Sequence, residues 1–134
     1  MPPRFSPRDW IEPPEAFVEP DKGRWKKPTS AEGTIELMVA HYLSSACEVA
    51  LEELRRRDMD RGDLGDLLGF DEDQTRRLRR KLNGEFPATL EDLFTWAAVL
   101  GRPDILFAPA DVSDMLPPGV NIDEALELLP STTT

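Results

Sequence analysis

The chain is short of the residues that most chemistry requires, with one cysteine, one histidine and one tyrosine among 134 residues. A single cysteine, Cys47, excludes an internal disulfide and fits a reducing, cytoplasmic setting. It falls among Ala46, Val49 and Ala50 in an expected helix and reads as a buried, inert thiol. His41 stands alone, with no cysteine at ligand spacing, so no zinc or other metal site is expected. Its sequence neighbours Ser44 and Ser45 do not make a catalytic set. There is no glycine-rich phosphate loop, no paired-carboxylate motif and no nucleophile elbow. The chain is therefore expected to be no enzyme and to need no cofactor. No run approaches the ~20 apolar residues that span a bilayer, so no membrane role is expected. The proline-rich start lacks the apolar core of a signal peptide.

Positive charge is scarce as well: 16 Lys and Arg stand against 26 Asp and Glu, a net −10. An acidic chain differs from the basic domain expected of a strong non-specific nucleic-acid binder. Any duplex binding should then depend on dimerisation, a matched site or a partner. The charge is also unevenly spread. Residues 1–33 are neutral, residues 34–107 carry −5, and residues 108–134 carry five acids and no base.

Composition divides the chain into three. Residues 1–28 hold seven of the 13 prolines and are expected to form an extended arm. The arm also holds Phe5, Trp10, Ile11, Phe17, Val18 and Trp25, more bulk than a disordered tail needs. It is expected to wrap back over a helical domain at 29–107. Residues 108–134 form an acidic tail in which Asn121 and Glu124 can cap a short helix. That helix would present Ile122, Ala125, Leu126 and Leu129 on one face.

What is present is concentrated between Asp60 and Gly84. Asp60 and Asp63 are spaced to cap a helix whose Leu64, Leu67 and Leu68 share a face. Gly65 permits close approach of a second helix, and Gly69 suits a left-handed end. A second helix opens at Asp71–Asp73 and stops at Asn83-Gly84. Thr75, Leu78 and Leu82 point inward from it. It carries five cations in six residues, Arg76-Arg77-Leu78-Arg79-Arg80-Lys81. Arginines on such a helix can contact guanine edges and phosphates in a major groove.

Three pieces occur in order: LGDLLGF (Leu64–Phe70), RKLNG (Arg80–Gly84) and FPATLEDLFTWAAVLG (Phe86–Gly101). In these the chain resembles the lambda-repressor-like (XRE/Cro-type) helix-turn-helix family over about residues 34–107. The resemblance implies an all-α, compact bundle of four to five helices. It implies a DNA-binding transcriptional regulator of bacterial or phage type, in which double-stranded DNA is the partner and a homodimer matches two-fold half-sites. Arg76, Arg77 and Arg80 would then contact bases or phosphates, and Arg79 and Lys81 mainly phosphates. Gln74 would read adenine from the helix tip. The acids Asp71-Glu72-Asp73 stand where the family has small polar residues; carboxylates there repel phosphate, though one can accept a hydrogen bond from cytosine N4.

Before that stretch, Thr29 and Glu32 are spaced to cap a long helix reaching about Arg57. Ile35, Met38, Val39, Tyr42, Ala46, Val49, Ala50 and Leu54 mark its apolar stripe. After it, Thr89 and Asp92 cap a helix expected to turn Leu90, Leu93, Phe94, Ala97 and Leu100 inward, with Trp96 off the stripe. The alternative reading is a non-enzymatic adaptor or inhibitor that keeps the fold and binds a protein. Trp10, Trp25, Trp96, Leu126 and Leu129 are its candidate contacts.

Overall fold

In the computed structural model, which describes residues 5–107, the protein is mainly helical, with four α-helices and one small sheet among the described residues. The helices are α1 (Ala31–Arg56), α2 (Arg61–Leu67), α3 (Glu72–Leu82) and α4 (Leu90–Leu100). Strands β1 (Ile11–Glu12) and β2 (Arg24–Trp25) pair antiparallel, Ile11 opposite Trp25.

The caps follow local chemistry. Asp60 and Asp63 form a reciprocal capping box at α2, Asp71 and Gln74 at α3, and Thr89 and Asp92 at α4. Each box satisfies backbone donors that the first turn leaves open. At α1 the cap is Ser30, which accepts the Gly33 N–H at 2.9 Å, one residue later than the expected Thr29. Both are hydroxyl residues, and Ser30 is the one in the extended conformation that a cap requires. Gly69 ends α2 with φ of 72°, and Phe70 N–H reaches back to the Gly65 carbonyl.

The arm is not extended. Three 3-10 turns, Pro7–Trp10, Pro14–Val18 and Pro20–Lys22, and the β1–β2 ladder fold it into a compact cover. Each turn opens on proline, whose fixed φ suits a first helical position. Ile11, Ala16 and Phe17 belong to the same buried cluster as Leu43, Leu54, Leu64, Leu78, Leu82, Leu93, Trp96 and Leu100. The Ser44 hydroxyl donates to the Phe17 carbonyl at 2.6 Å, so a buried polar side chain of α1 is satisfied by the arm.

Long helix α1 buries two faces in succession. Its C-terminal half turns Ala46, Cys47, Ala50 and Leu54 to the bundle. Its N-terminal half buries Leu37 beneath Trp10 and Trp25 of the arm. Ile35 and Val39, which belong to the apolar stripe of the sequence, are 51% and 39% exposed. At ~1.5 Å per residue α1 outruns the shorter α4, and the bundle ends before it reaches them.

In α4 the buried residues are Leu93, Trp96, Ala97 and Leu100. Leu90 and Phe94, expected inside, are 67% and 55% exposed. The sequence holds two overlapping stripes one position apart, and burying the large Trp96 ring decides between them.

Glu53 is buried at 1% exposure. Its carboxylate accepts hydrogen bonds from Arg56, Arg57 and Arg102. Arg57 also donates to the Leu100 carbonyl at 2.7 Å. The arginines at the end of α1 thus tie it to α4 and to the Pro103–Leu106 turn.

Candidate nucleic-acid interface

Helix α3 is seated by its apolar side. Leu78 and Leu82 are buried, and Thr75 packs against α2 where Gly65 has no side chain. A methyl added at Gly65 would come within 2.5 Å of the Thr75 hydroxyl. That contact sets how closely α2 and α3 approach across their four-residue connection. At the other end Gly84 has φ of 79°, and Glu85 N–H reaches the Arg80 carbonyl at 2.9 Å.

The arm holds this end of α3 in place. Arg8 N–H donates to the Gly84 carbonyl at 3.0 Å, and the Ser6 hydroxyl donates to the Glu85 carbonyl at 2.9 Å. The Phe17 ring lies directly against Gly84. Nothing in the local sequence of α3 signals this brace; it pairs residues more than 60 positions apart.

The cations of α3 do not form one strip. Arg76 and Arg80 point outward, opposite Leu78 and Leu82, and Arg76 pairs with Asp73 at 3.1 Å in the open. Arg77, Arg80 and Lys81 line one flank, together with Phe5, Phe86 and Pro87, around a groove of about 390 Å³. The Arg80 guanidinium sits over the Phe86 ring, 5.6 Å from its centre, which fixes the charge on an apolar platform. Lys81 is half-buried and bound to Asp92 at 2.8 Å, so it is partly neutralised.

Arg79 lies on the opposite flank, across α2 near Gly62. There it faces a second groove, of about 490 Å³, lined by Asp60, Asp63, Asp66, Asp71 and Glu72. Five carboxylates and one guanidinium line this groove. Three of those acids are occupied as helix caps or capping partners, which accounts for their presence. Their charge still lies beside the N-terminal ends of both α2 and α3.

Gln74, the expected adenine reader, is exposed in the first turn of α3 with its side-chain oxygen engaged locally. Its Oε1 accepts the Asp71 N–H at 3.0 Å, because Gln74 is the third residue of α3 and completes the capping box. The spacing Asp71-x-x-Gln74 was the signal that could have said so.

Among the candidate partner contacts, Trp96 is core, 1% exposed. Trp10 donates its indole N–H to Glu36 at 3.2 Å, and Trp25 packs edge-on to His41 with ring centres 5.4 Å apart. Both are half-buried and engaged within the chain. Leu126 and Leu129 lie outside the described residues.

Burial pushes the Cys47 thiol up to about 12, which leaves it protonated and unreactive at neutral pH. Among the described residues no group of His, Cys, Asp and Glu is arranged to hold a metal ion, and no helix is long and apolar enough to cross a membrane. No family model, no curated protein and no solved structure matches the chain.

Proposed function

We propose that the chain is a DNA-binding transcriptional regulator of bacterial or phage type, in which α2 and α3 act as a helix-turn-helix and α3 reads the duplex. The observation that carries this reading is the exposure of Arg76, Arg77 and Arg80 on the side of α3 opposite its buried leucines. Guanidinium groups at that spacing reach both the edge of a guanine and the neighbouring phosphates.

The two flanks of α3 give the approach a direction. The flank with Arg77, Arg80 and Lys81 attracts the phosphate backbone; the flank beside Asp60, Asp63 and Asp66 repels it. Contact is then made by the middle and last turns of α3 rather than by its tip. Glu72 and Asp73, exposed at the tip, disfavour phosphate and can accept from cytosine N4. With three or four phosphate contacts, binding should weaken with a log–log salt slope of about −3 to −4.

The test is fluorescence-anisotropy binding to GC-rich duplexes selected from a random pool, at two salt concentrations, beside Arg76→Ala/Arg80→Ala. Selective, salt-sensitive binding that collapses in the variant supports the reading. No enrichment at low salt, where charge attraction is strongest, refutes it for the isolated protein.

One observation favours a second reading, the protein-binding adaptor or inhibitor. Leu90 and Phe94 lie one turn apart on the outside of α4, both more than half exposed. In a chain of net charge −10, an apolar pair of this kind suits a protein partner better than a polyanion.

A further inference from the structure

The first three turns of α1 carry an apolar face that residues 5–107 cover only in part. Ile35, Met38, Val39 and Tyr42 follow the i, i+3, i+4, i+7 spacing, so they share one side of the helix. Ile35 and Val39 are exposed, while Met38 and Tyr42 are half-buried. The same side of α1 is covered further along, where Ala46 enters the core. The bare patch is thus the unfinished end of an existing interface.

The chain leaves the described structure at the edge of this patch. The Pro103–Leu106 turn packs on α1, and the Tyr42 hydroxyl donates to the Leu106 carbonyl at 3.0 Å. Phe107, the next residue, is 71% exposed. Twenty-seven residues follow it.

Within those residues Ile122, Ala125, Leu126 and Leu129 repeat the same i, i+3, i+4, i+7 spacing, with Asp123, Glu124 and Glu127 at positions on the other side. Each stripe is about 10 Å long at 1.5 Å per residue. The 14 intervening residues, 108–121, extend to about 45 Å at ~3.3 Å each, more than the length of α1. The stripes match in span, and the tether starts beside the patch.

We propose that the segment Ile122–Leu129 docks along the Ile35–Met38–Val39–Tyr42 face of α1 and completes the bundle with the chain's own C-terminal residues. Two apolar stripes of equal length, joined by a tether anchored next to one of them, meet at high effective concentration. Docked in this way, Asp123, Glu124 and Glu127 would face outward, where three acids without a base keep that surface solvated. This inference is independent of whether α3 binds DNA.

The test uses the full chain carrying Val39→Cys with Leu126→Cys under mild oxidation. Buried Cys47 does not compete. The expected result is an intramolecular disulfide that closes at least roughly tenfold faster than in Glu91→Cys/Leu126→Cys, in which the same tether meets the exposed surface of α4. Equal rates, or disulfide-linked dimers as the main product, overturn the proposal; the dimers would assign the patch to a second copy. A second readout is amide hydrogen exchange at Ile35–Tyr42 in full-length Leu126→Glu/Leu129→Glu. Exchange at least roughly tenfold faster than in the parent is expected, since each leucine removed from contact loses more than a tenfold factor. Unchanged exchange overturns the proposal.

Discussion

Replacing Gly84 with alanine would drive a methyl into the ring of Phe17. The added carbon would sit 2.5 to 2.7 Å from three atoms of that ring. The backbone there has φ of 79°, a conformation that costs an L-residue about 1–2 kcal/mol. Forcing a methyl into a packed ring adds about 1–3 kcal/mol, for a total near 2–5. Gly69 provides the comparison. Its φ of 72° is nearly the same, yet an added methyl meets nothing within 4 Å, so Gly69→Ala should lose only the backbone part, ~1–2 kcal/mol. Phe17→Ala alone should cost about 3–5 kcal/mol for the lost contacts and the cavity. In Phe17→Ala/Gly84→Ala the crowding disappears, and the pair should be less destabilised than the sum by about 1–3 kcal/mol. Urea unfolding followed by far-UV circular dichroism on the four proteins and on Gly69→Ala gives every quantity required. Additivity within ~0.5 kcal/mol, or equal losses at Gly84 and Gly69, would refute the docking of the arm on the end of α3.

Two further outcomes follow from the charges. The Glu53 carboxyl is held down at about 2, first by hydrogen bonds from Arg56 and then by those from Arg57. A value below the ordinary 4.5 means that its contribution to stability is complete above that pH and is lost as pH falls toward 2. Melting temperature should therefore drop more steeply below about pH 4.5 in the parent than in Glu53→Gln, and parallel curves would sink the argument. At the tip of α3, Glu72→Gln/Asp73→Asn removes two charges from the phosphate path and releases Arg76 from its pair with Asp73. Duplex affinity at low salt should rise several-fold; a fall would mean that these carboxylates read bases.

Local rules reached the ends of helices more surely than their faces. Asp60 and Thr89 cap where their spacing to the third residue demands, because a cap involves only neighbours, while the equally local Asp71–Gln74 box went unread. The apolar side of α3 was equally legible, since Leu78 and Leu82 have no competing stripe. In α4 two stripes overlap, and the choice of Trp96 over Leu90 and Phe94 is made by the bundle. In α1 the stripe containing Ile35 and Val39 is genuine, but the described bundle is too short to cover it. Leu37 instead is buried by tryptophans from the arm, 12 and 27 positions away. The basic run of α3 was visible as composition. Its division into a basic flank and an acid-facing flank was not, because it depends on where α2 places Asp60, Asp63 and Asp66. Glu53 has Arg56 and Arg57 at helical spacing, but its burial gave no local signal, for its third partner Arg102 lies 49 residues on.

The seat of Phe17 beneath Gly84 bears on where this protein can be cut. A fragment beginning at Thr29 would look complete by helix content, with α1, α2, α3 and α4 all intact. It would nevertheless lack the ring that fills the core behind α3, the acceptor for the Ser44 hydroxyl, and the strand-like cover over Leu37. The folded unit is therefore not the helices with a removable leader. It is one interleaved body in which a proline-rich preface supplies the wall, and any transplant of α3 into another scaffold must carry a substitute for that wall.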